Sequence, residues 1–346
     1  MTVLVTMLIC PIEWRNFPVA AHREPFVALE WQLHDSQIGA NSAVIDIAEP
    51  TVVYRCYEAG GALRTEGRSP LRALLMGLCL SPELAERLDL DGNYTLLFLY
   101  VRLAESERVY SCTAFLRNRF LFLNTGVQPL GPQESPDATV IRDRALLAHD
   151  TWRLFLNNHN NFNFFKKYLP DDEIEYKYNL AHDTNIWRLS NRLWQRIEQG
   201  GLPGFTPHFA HPTSQWDFDN YLFEISAPAE EKGYISFIPT ARGTYIIKKK
   251  VYAEDSLIRK EYRQREVTIV GALDEYLREH FPSIVYRQLP HFRRIRYDVD
   301  IESLVTGNIY SVMFDRSTVR DQEYPPLVQC EVEYLQTRSC YPPRCA

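Results

Sequence analysis

The chain has 346 residues, of which 45% are hydrophobic and 24% charged, a composition typical of a folded protein with a large core and two domains. The formal net charge of −6 argues against general binding to nucleic acids. The seven cysteines contain no CxxC pair, so neither a zinc site nor a disulfide scaffold is expected.

Two apolar segments are candidates for a signal peptide or a membrane-spanning helix. The first, "MTVLVTMLIC", has no basic n-region and no small-residue cleavage site, so it predicts a strand rather than a signal peptide. The longest apolar run, "YTLLFLYVRLA", is about half a membrane span and contains Arg102. We therefore expect a cytoplasmic protein with no membrane association.

Residues 1–130 predict a smaller α+β domain of unknown role. Strands are predicted in "AVIDIA", "TVVYRCYEA", "YTLLFLYVRL", "RVYSCTAFL" and "RFLFLNTG". Two short helices are predicted in "SPLRALLMGL" and "SPELAERL", the second with Ser81 as its N-cap and Pro82 at its first position. The sequence of this region suggests no set of catalytic or ligand-binding residues.

Residues 131–165 predict a linker and a helix. The linker candidate is "VQPLGPQESPDA", with three prolines, and "TVIRDRALLAHDTWRLFL" follows with helical spacing. The asparagine-rich "NNHNNFNFF" then favours a loop, because asparagine side chains bond to local backbone groups.

Residues 166–346 predict a sheet domain with two amphipathic helices. The first helix is expected from about Asp183 to Gln199, with Asp183 as N-cap and Gly200 at its end. The second is "GALDEYLREHF", which ends before Pro282. About eight strands are predicted between residues 173 and 335, beginning with "DDEIEYKYNL".

Several of these strands alternate between charged and apolar residues. Because alternate residues of a strand share a face, each strand should have one charged face. The predicted charged faces carry Glu173, Glu175 and Lys177; Lys248 and Lys250; Arg259, Glu261, Arg263 and Arg265; Arg294, Arg296, Asp298 and Asp300; and Glu331 and Glu333. Solvated faces of an ordinary antiparallel sheet are the alternative interpretation.

Two of these faces carry a pair of glutamates and no other acid, and two others carry mainly cations. Paired glutamates suit a hard divalent cation, whereas lysine and arginine suit a phosphate chain. These faces converge only if the sheet closes, and eight strands are enough to close. We therefore expect a closed antiparallel eight-stranded β-barrel enclosing a charged tunnel, with flanking helices outside.

This order of motifs resembles the triphosphate tunnel metalloenzymes, or CYTH superfamily, over residues 166–338. The resemblance rests on a Glu-x-Glu-x-Lys strand, a helix, basic strands and a final Glu-x-Glu strand. The superfamily includes RNA, thiamine and inorganic triphosphatases, class IV adenylate cyclases and polyphosphate polymerase domains. One departure is that "NYLFEIS" and "GYISFIP" lack the usual early Arg-x-Arg pair, with only Arg242 nearby.

The resemblance implies roles for individual residues. It implies Mg²⁺ or Mn²⁺ bound by Glu173, Glu175, Glu331 and Glu333. It implies phosphate contacts from Lys177, Lys248 or Lys250, Arg259, Arg294 and Arg296, with Glu261 and Asp315 as secondary candidates. Glu173, Glu175 and Lys177 are then the catalytic candidates.

The predicted function is metal-dependent phosphoryl or nucleotidyl transfer, including hydrolysis. The expected partner is a small-molecule substrate, either a nucleotide, a nucleoside triphosphate or a polyphosphate. Two alternatives stay open: a nucleotide- or polyphosphate-binding module without turnover, and a specialised biosynthetic enzyme on the same barrel. A homo-oligomer is compatible with the sequence.

Overall fold

The computed structural model describes most of the chain. The described residues are 2–15, 24–34, 37–48, 50–76, 79–88, 90, 94–104, 106–116, 118–129, 137–151, 165–167, 172–252, 257–319 and 324–341. Most of the predicted linker (130–136) and of the asparagine-rich segment (157–164) lies outside them. The predicted domain boundaries therefore stay a prediction.

The N-terminal part of the chain forms a ten-stranded antiparallel sheet in the order β3-β10-β9-β8-β1-β2-β4-β5, with β6 and β7 attached beside β8. Its strands are β1 (Thr2–Pro11), β2 (Phe26–His34), β3 (Ser42–Asp46), β4 (Thr51–Tyr57), β5 (Leu63–Pro70), β6 (Leu75–Met76), β7 (Cys79–Leu80), β8 (Tyr94–Arg102), β9 (Ser106–Leu116) and β10 (Arg119–Pro129).

The expectation of a smaller α+β domain is wrong, because this part of the chain is dominated by the large sheet. Strand β2 was missed because it is buried on both faces over most of its length and does not alternate. Strand β5 was missed because it is a polar strand at the sheet edge. The helices are α1 (Leu71–Leu74), α2 (Pro82–Arg87) and α3 (Ala138–Thr151). Ser81 caps α2 as predicted.

The C-terminal part forms an eleven-stranded antiparallel sheet. Its strands are β11 (Phe165–Lys166), β12 (Asp172–Asn179), β13 (Phe205–Pro207), β14 (Thr213–Ala227), β15 (Gly233–Pro239), β16 (Tyr245–Val251), β17 (Ile258–Val267), β18 (Val285–Gln288), β19 (Phe292–Ser303), β20 (Asn308–Val319) and β21 (Leu327–Arg338).

This second sheet is ring-like. Its pairings run β19-β20-β21-β12-β17-β16-β15-β14, and β14 pairs in turn with β19. The short strands β11, β13 and β18 attach at its margins, so the sheet departs from the simple eight-stranded barrel expected from the sequence. We call the enclosed side of this sheet its inner face.

Two helices cover the outer face of the ring. Helix α4 (Ile186–Glu198) packs on apolar residues of β19 and β20, and α5 (Leu273–His280) packs on those of β14, β15 and β16. Asn185, rather than the predicted Asp183, caps α4 by accepting a hydrogen bond from the Arg188 amide at 2.9 Å. Asn185 directly precedes the first helical residue, the position an N-cap requires.

The two sheets contact each other through a small apolar cluster containing Val44, Leu121, Phe209 and Leu304. The Asn41 side chain also donates a hydrogen bond to the Arg338 carbonyl, at 2.9 Å. The N-terminal sheet therefore packs beside one end of β19, β20 and β21. Among the described residues, no helix has the length and apolar character needed to cross a membrane.

Candidate active site on the inner face of the ring

Strand β12 turns its charged face inward and part of its apolar face outward. Glu173 and Glu175 are buried, whereas Tyr176 and Tyr178 are 47% and 52% exposed. This is the reverse of an ordinary half-buried strand, whose charged residues face water. The predicted charged face is therefore an enclosed surface.

Cross-strand pairing brings the two acidic motifs together. Strand β12 lies between β17 and β21, and its Glu175 lies directly opposite Glu333 while Lys177 lies opposite Glu331. Opposite residues of an antiparallel pair share a face and lie about 4.5–5.5 Å apart at Cβ. The first and last strands of the motif are thus neighbours, although they are far apart in sequence.

One half of the inner face is organised around Lys250. Its Nζ lies 2.5 Å from Glu173 Oε2, 3.6 Å from Glu175 Oε2 and 3.5 Å from Glu261 Oε2. Glu261 also pairs with Lys248, at 3.3 Å. Arg259 forms a further ion pair with Glu175.

The other half is organised around Arg296. Its Nε and Nη2 donate to the two carboxylate oxygens of Asp315, each at 2.6 Å, and Nη2 also donates to Glu331 Oε2 at 2.8 Å. Arg294 Nη1 lies 3.2 Å from Asp315 Oδ2. Lys177 joins the two halves, because its Nζ lies 3.1 Å from Glu175 and 3.0 Å from Glu331.

These contacts form one continuous set of ion pairs, which we call the charge network. It contains Glu173, Glu175, Lys177, Lys248, Lys250, Arg259, Glu261, Arg294, Arg296, Asp315 and Glu331. Glu333 adjoins it opposite Glu175. The structure thus gathers every residue predicted for the site on one enclosed surface.

Burial shifts the pKa of several of these groups. Burial is the main reason that the pKa of Lys248 lies below its usual value, despite the neighbouring Glu261. Burial opposes ionisation of Glu331, but Arg296 and the other cations beside it hold its pKa well below the usual range. Glu333 differs, because burial and the neighbouring Glu173 raise its pKa to about 7.

The donor chemistry of the acids suits a divalent cation, but they are not gathered into a ready cage. Among the described residues, no group of three or more His, Cys, Asp or Glu side chains is arranged to hold a metal. Glu175 Oε2 is buried and has no hydrogen-bond partner within the described part of the chain, although Lys250 Nζ lies 3.6 Å from it. Mg²⁺ generally needs only one or two protein carboxylates when it arrives on substrate phosphates. The site residues fit that mode of binding rather than an all-protein cage.

Other inner-face residues were not identified from the sequence. On β14, Trp216 and Phe218 lie opposite Arg296 and Arg294, and Asn220 follows on the same face. No charge marks these positions, so the alternation that revealed the other strands does not reveal them. Arg242 does not replace the missing arginine pair, because it is exposed and bound to Glu266 at 2.9 Å.

A separate cavity of about 380 Å³ lies on the outer side of β16 and β17. Its lining includes Lys249, Glu231 and Phe281. Lys249 is already paired with Glu231 and lies over the Phe281 ring. Its charged groups neutralise each other, so the inner face is the stronger candidate site.

Comparisons with known proteins do not assign the chain to a family. No family model matches it, and no curated protein matches it. Among solved structures it is similar to the crystal structure of the di-domain ARO/CYC BexL from the BE-7585A biosynthetic pathway. That match has 10% identity and a TM-score of 0.16, and covers 97% of this chain and 85% of that one. A likeness this weak carries no argument about fold or function.

Proposed function

We propose that the inner face of the ring binds a compound with a phosphate chain and acts on it by phosphoryl or nucleotidyl transfer. Hydrolysis of a triphosphate is the form to test first. The main support for this proposal is the charge network, a set of charged side chains that the ring-like sheet encloses. They are not distributed over a solvent-exposed surface.

Stability alone does not account for such a network. Burying ionised groups costs several kcal/mol per ion, and well-packed apolar residues of similar volume often give equal or greater stability. Charged side chains facing one another inside a ring therefore suit a ligand that is itself strongly charged. Arginine offers a fork of donors to phosphate oxygens, and lysine offers a compact charge.

Lys248 and Arg294 have fewer or longer protein contacts than Lys250 and Arg296, the cations at the centres of the two halves. Among the described residues, Lys248 has one ion pair, at 3.3 Å, and burial lowers its pKa despite that pair. Arg294 holds Asp315 at 3.2 Å and donates to Ser317 Oγ at 3.0 Å, without the bidentate grip of Arg296. We assign the first contacts to phosphate to Lys248 and Arg294, and a positioning role to Arg296.

Catalysis would then come from positioning and charge stabilisation, as phosphoryl transfer generally requires. The cations neutralise charge on the phosphate oxygens, and the buried carboxylates fix the cations in place. Glu173, Glu175, Glu331 and Glu333 are the residues that would hold a divalent metal, which when bound would supply further charge neutralisation at the phosphate oxygens. Glu333, with its raised pKa, is the acid that gains most from an added positive charge.

A binding module without turnover is the second candidate. Its supporting observation is that β14 and β15 lack the early arginine pair usual in the resembled superfamily, and that the uncharged Ser236 of β15 lies opposite Lys248. A site with fewer cations around the phosphate chain would hold a ligand without activating it.

The test is release of phosphate or pyrophosphate from ATP and from tripolyphosphate by the full chain, with Mg²⁺ or Mn²⁺ and with EDTA. We expect metal-dependent release, lowered about tenfold or more in Lys248→Met, since a lost charge-assisted phosphate contact is worth ~1.5–3 kcal/mol. Lys260→Met is the matched control, because Lys260 is exposed on the outer side of β17. Tight binding without release would favour the binding module. The absence of both binding and release would refute the proposal.

A further inference from the structure

The inner face of the ring is not charged all round. Along β14 it presents Trp216, Phe218, Asn220 and Leu222 in succession, and Ser236, opposite Leu222 on β15, continues this surface. The Asn220 amide donates to Ser236 Oγ at 3.4 Å, so the two side chains face the same space. This uncharged wall completes a ring whose other strands carry the charge network.

Trp216 is exposed but held in place. Trp216 is 54% exposed, yet its indole N–H donates hydrogen bonds to Asp298 Oδ2 at 2.7 Å and to Ser214 Oγ at 3.0 Å. These two hydrogen bonds at one edge hold the indole in place and leave its apolar face open beside Arg296. An exposed, preorganised aromatic face next to cations suits a planar ring better than it suits a bare phosphate chain.

Asn220 gives an independent indication of a ligand on this wall. It is only 6% exposed, and its Oδ1 atom has no hydrogen-bond partner among the described residues. A buried acceptor left unpaired costs ~1–3 kcal/mol. A hydroxyl or N–H group of a ligand would satisfy it.

The order of residues along β14 sets the orientation of such a ligand. Asn220 lies four residue steps along the strand from Trp216, about 13 Å at 3.3 Å per residue. Arg294 lies opposite Phe218, between them, and Lys248 lies opposite the Ser236 that contacts Asn220. A ligand lying along β14 with its ring at Trp216 would place its phosphates between Arg294 and Lys248.

We infer that Trp216 is the stacking surface of a recognition subsite and that the substrate is a phosphate ester of a planar nitrogen heterocycle, such as a nucleoside triphosphate. Inorganic polyphosphate is not the preferred ligand. This inference rests on the proposed function of the charge network, and it adds the organic half of the substrate.

The test is calorimetric titration of the full chain with Mg·ATP and, separately, with Mg·tripolyphosphate. Stacking of one base is worth ~1–3 kcal/mol, and each ~1.4 kcal/mol is tenfold in affinity. Trp216→Ala should therefore weaken ATP binding about tenfold while leaving tripolyphosphate binding within about twofold. Trp216→Phe should restore most of the loss. Trp187→Ala is the control, since Trp187 is equally exposed, at 56%, on the outer helix α4.

The outcomes separate this inference from the function on which it rests. One outcome is that the wild type binds tripolyphosphate as strongly as ATP, and that Lys248→Met weakens tripolyphosphate binding. This outcome overturns the stacking subsite at Trp216 and leaves the proposed function standing. An equal loss for both ligands in Trp216→Ala also overturns it, because it indicates a structural role for Trp216. A wild type that binds neither ligand overturns both proposals.

Discussion

Arg296→Met is the substitution with the clearest predicted effect on stability. It removes the bidentate contacts to Asp315, each 2.6 Å, and the 2.8 Å contact to Glu331, and it leaves both carboxylates buried. Removing one partner from a buried ion pair costs ~3–5 kcal/mol. Arg294 and Lys177 remain beside the two acids, so we expect a loss of about 3 kcal/mol, the low end of that range.

The assay is thermal unfolding at pH 7. At roughly 2–4 °C per kcal/mol for a unit of this size, the midpoint should fall by about 6–12 °C. Arg293→Met is the matched control, because the neighbouring Arg293 lies on the outer face in an exposed ion pair with Asp217. Equal shifts for Arg293→Met and Arg296→Met would refute the assignment of an inner and an outer face to β19.

Two further predictions concern acid–base behaviour and helix capping. Because the pKa of Glu333 is raised to about 7 in the folded state, protonated Glu333 stabilises the fold at low pH, and this contribution of roughly 3 kcal/mol is lost as pH rises from about 4.5 to 7. Glu333→Gln should therefore unfold at a higher temperature than wild type at pH 8 and at the same temperature at pH 4.5, and parallel melting curves across this range would contradict it. Asn185→Ala should cost about 1 kcal/mol in urea unfolding through loss of the α4 cap, whereas Asp183→Ala should not, and the reverse result would restore the sequence-based assignment.

The strands that build the site were predictable because their chemistry alternates. Glu173, Glu175 and Lys177 on β12, and Glu331 and Glu333 on β21, share a face in any strand conformation. The strands without such alternation were missed. Those are β2, buried on both faces over most of its length, and β5 at the sheet edge, and their omission made the N-terminal sheet look smaller than it is.

The uncharged part of the site could not be predicted in the same way. Trp216 and Asn220 lie on a strand whose sequence, "TSQWDFDNYLFEISA", has the two neighbouring acids Asp217 and Asp219 on the outer face. Only the pairing of β14 with β19 shows that the uncharged side faces inward. Likewise, the short sequence signals at Asp183 and Asn185 are equivalent, and the geometry at the helix start decides between them.

By itself, the sequence determined which residues share a face, because the side-chain period of a strand is two wherever the strand lies. Only the tertiary structure decided that the charged face of β12 is enclosed while Tyr176 and Tyr178 are exposed. That outcome depends on strand pairings between distant segments, β12 with β21 and β14 with β19, which bend the sheet into a ring. Such pairings are set by long-range packing and register, so local alternation cannot reveal which face they enclose.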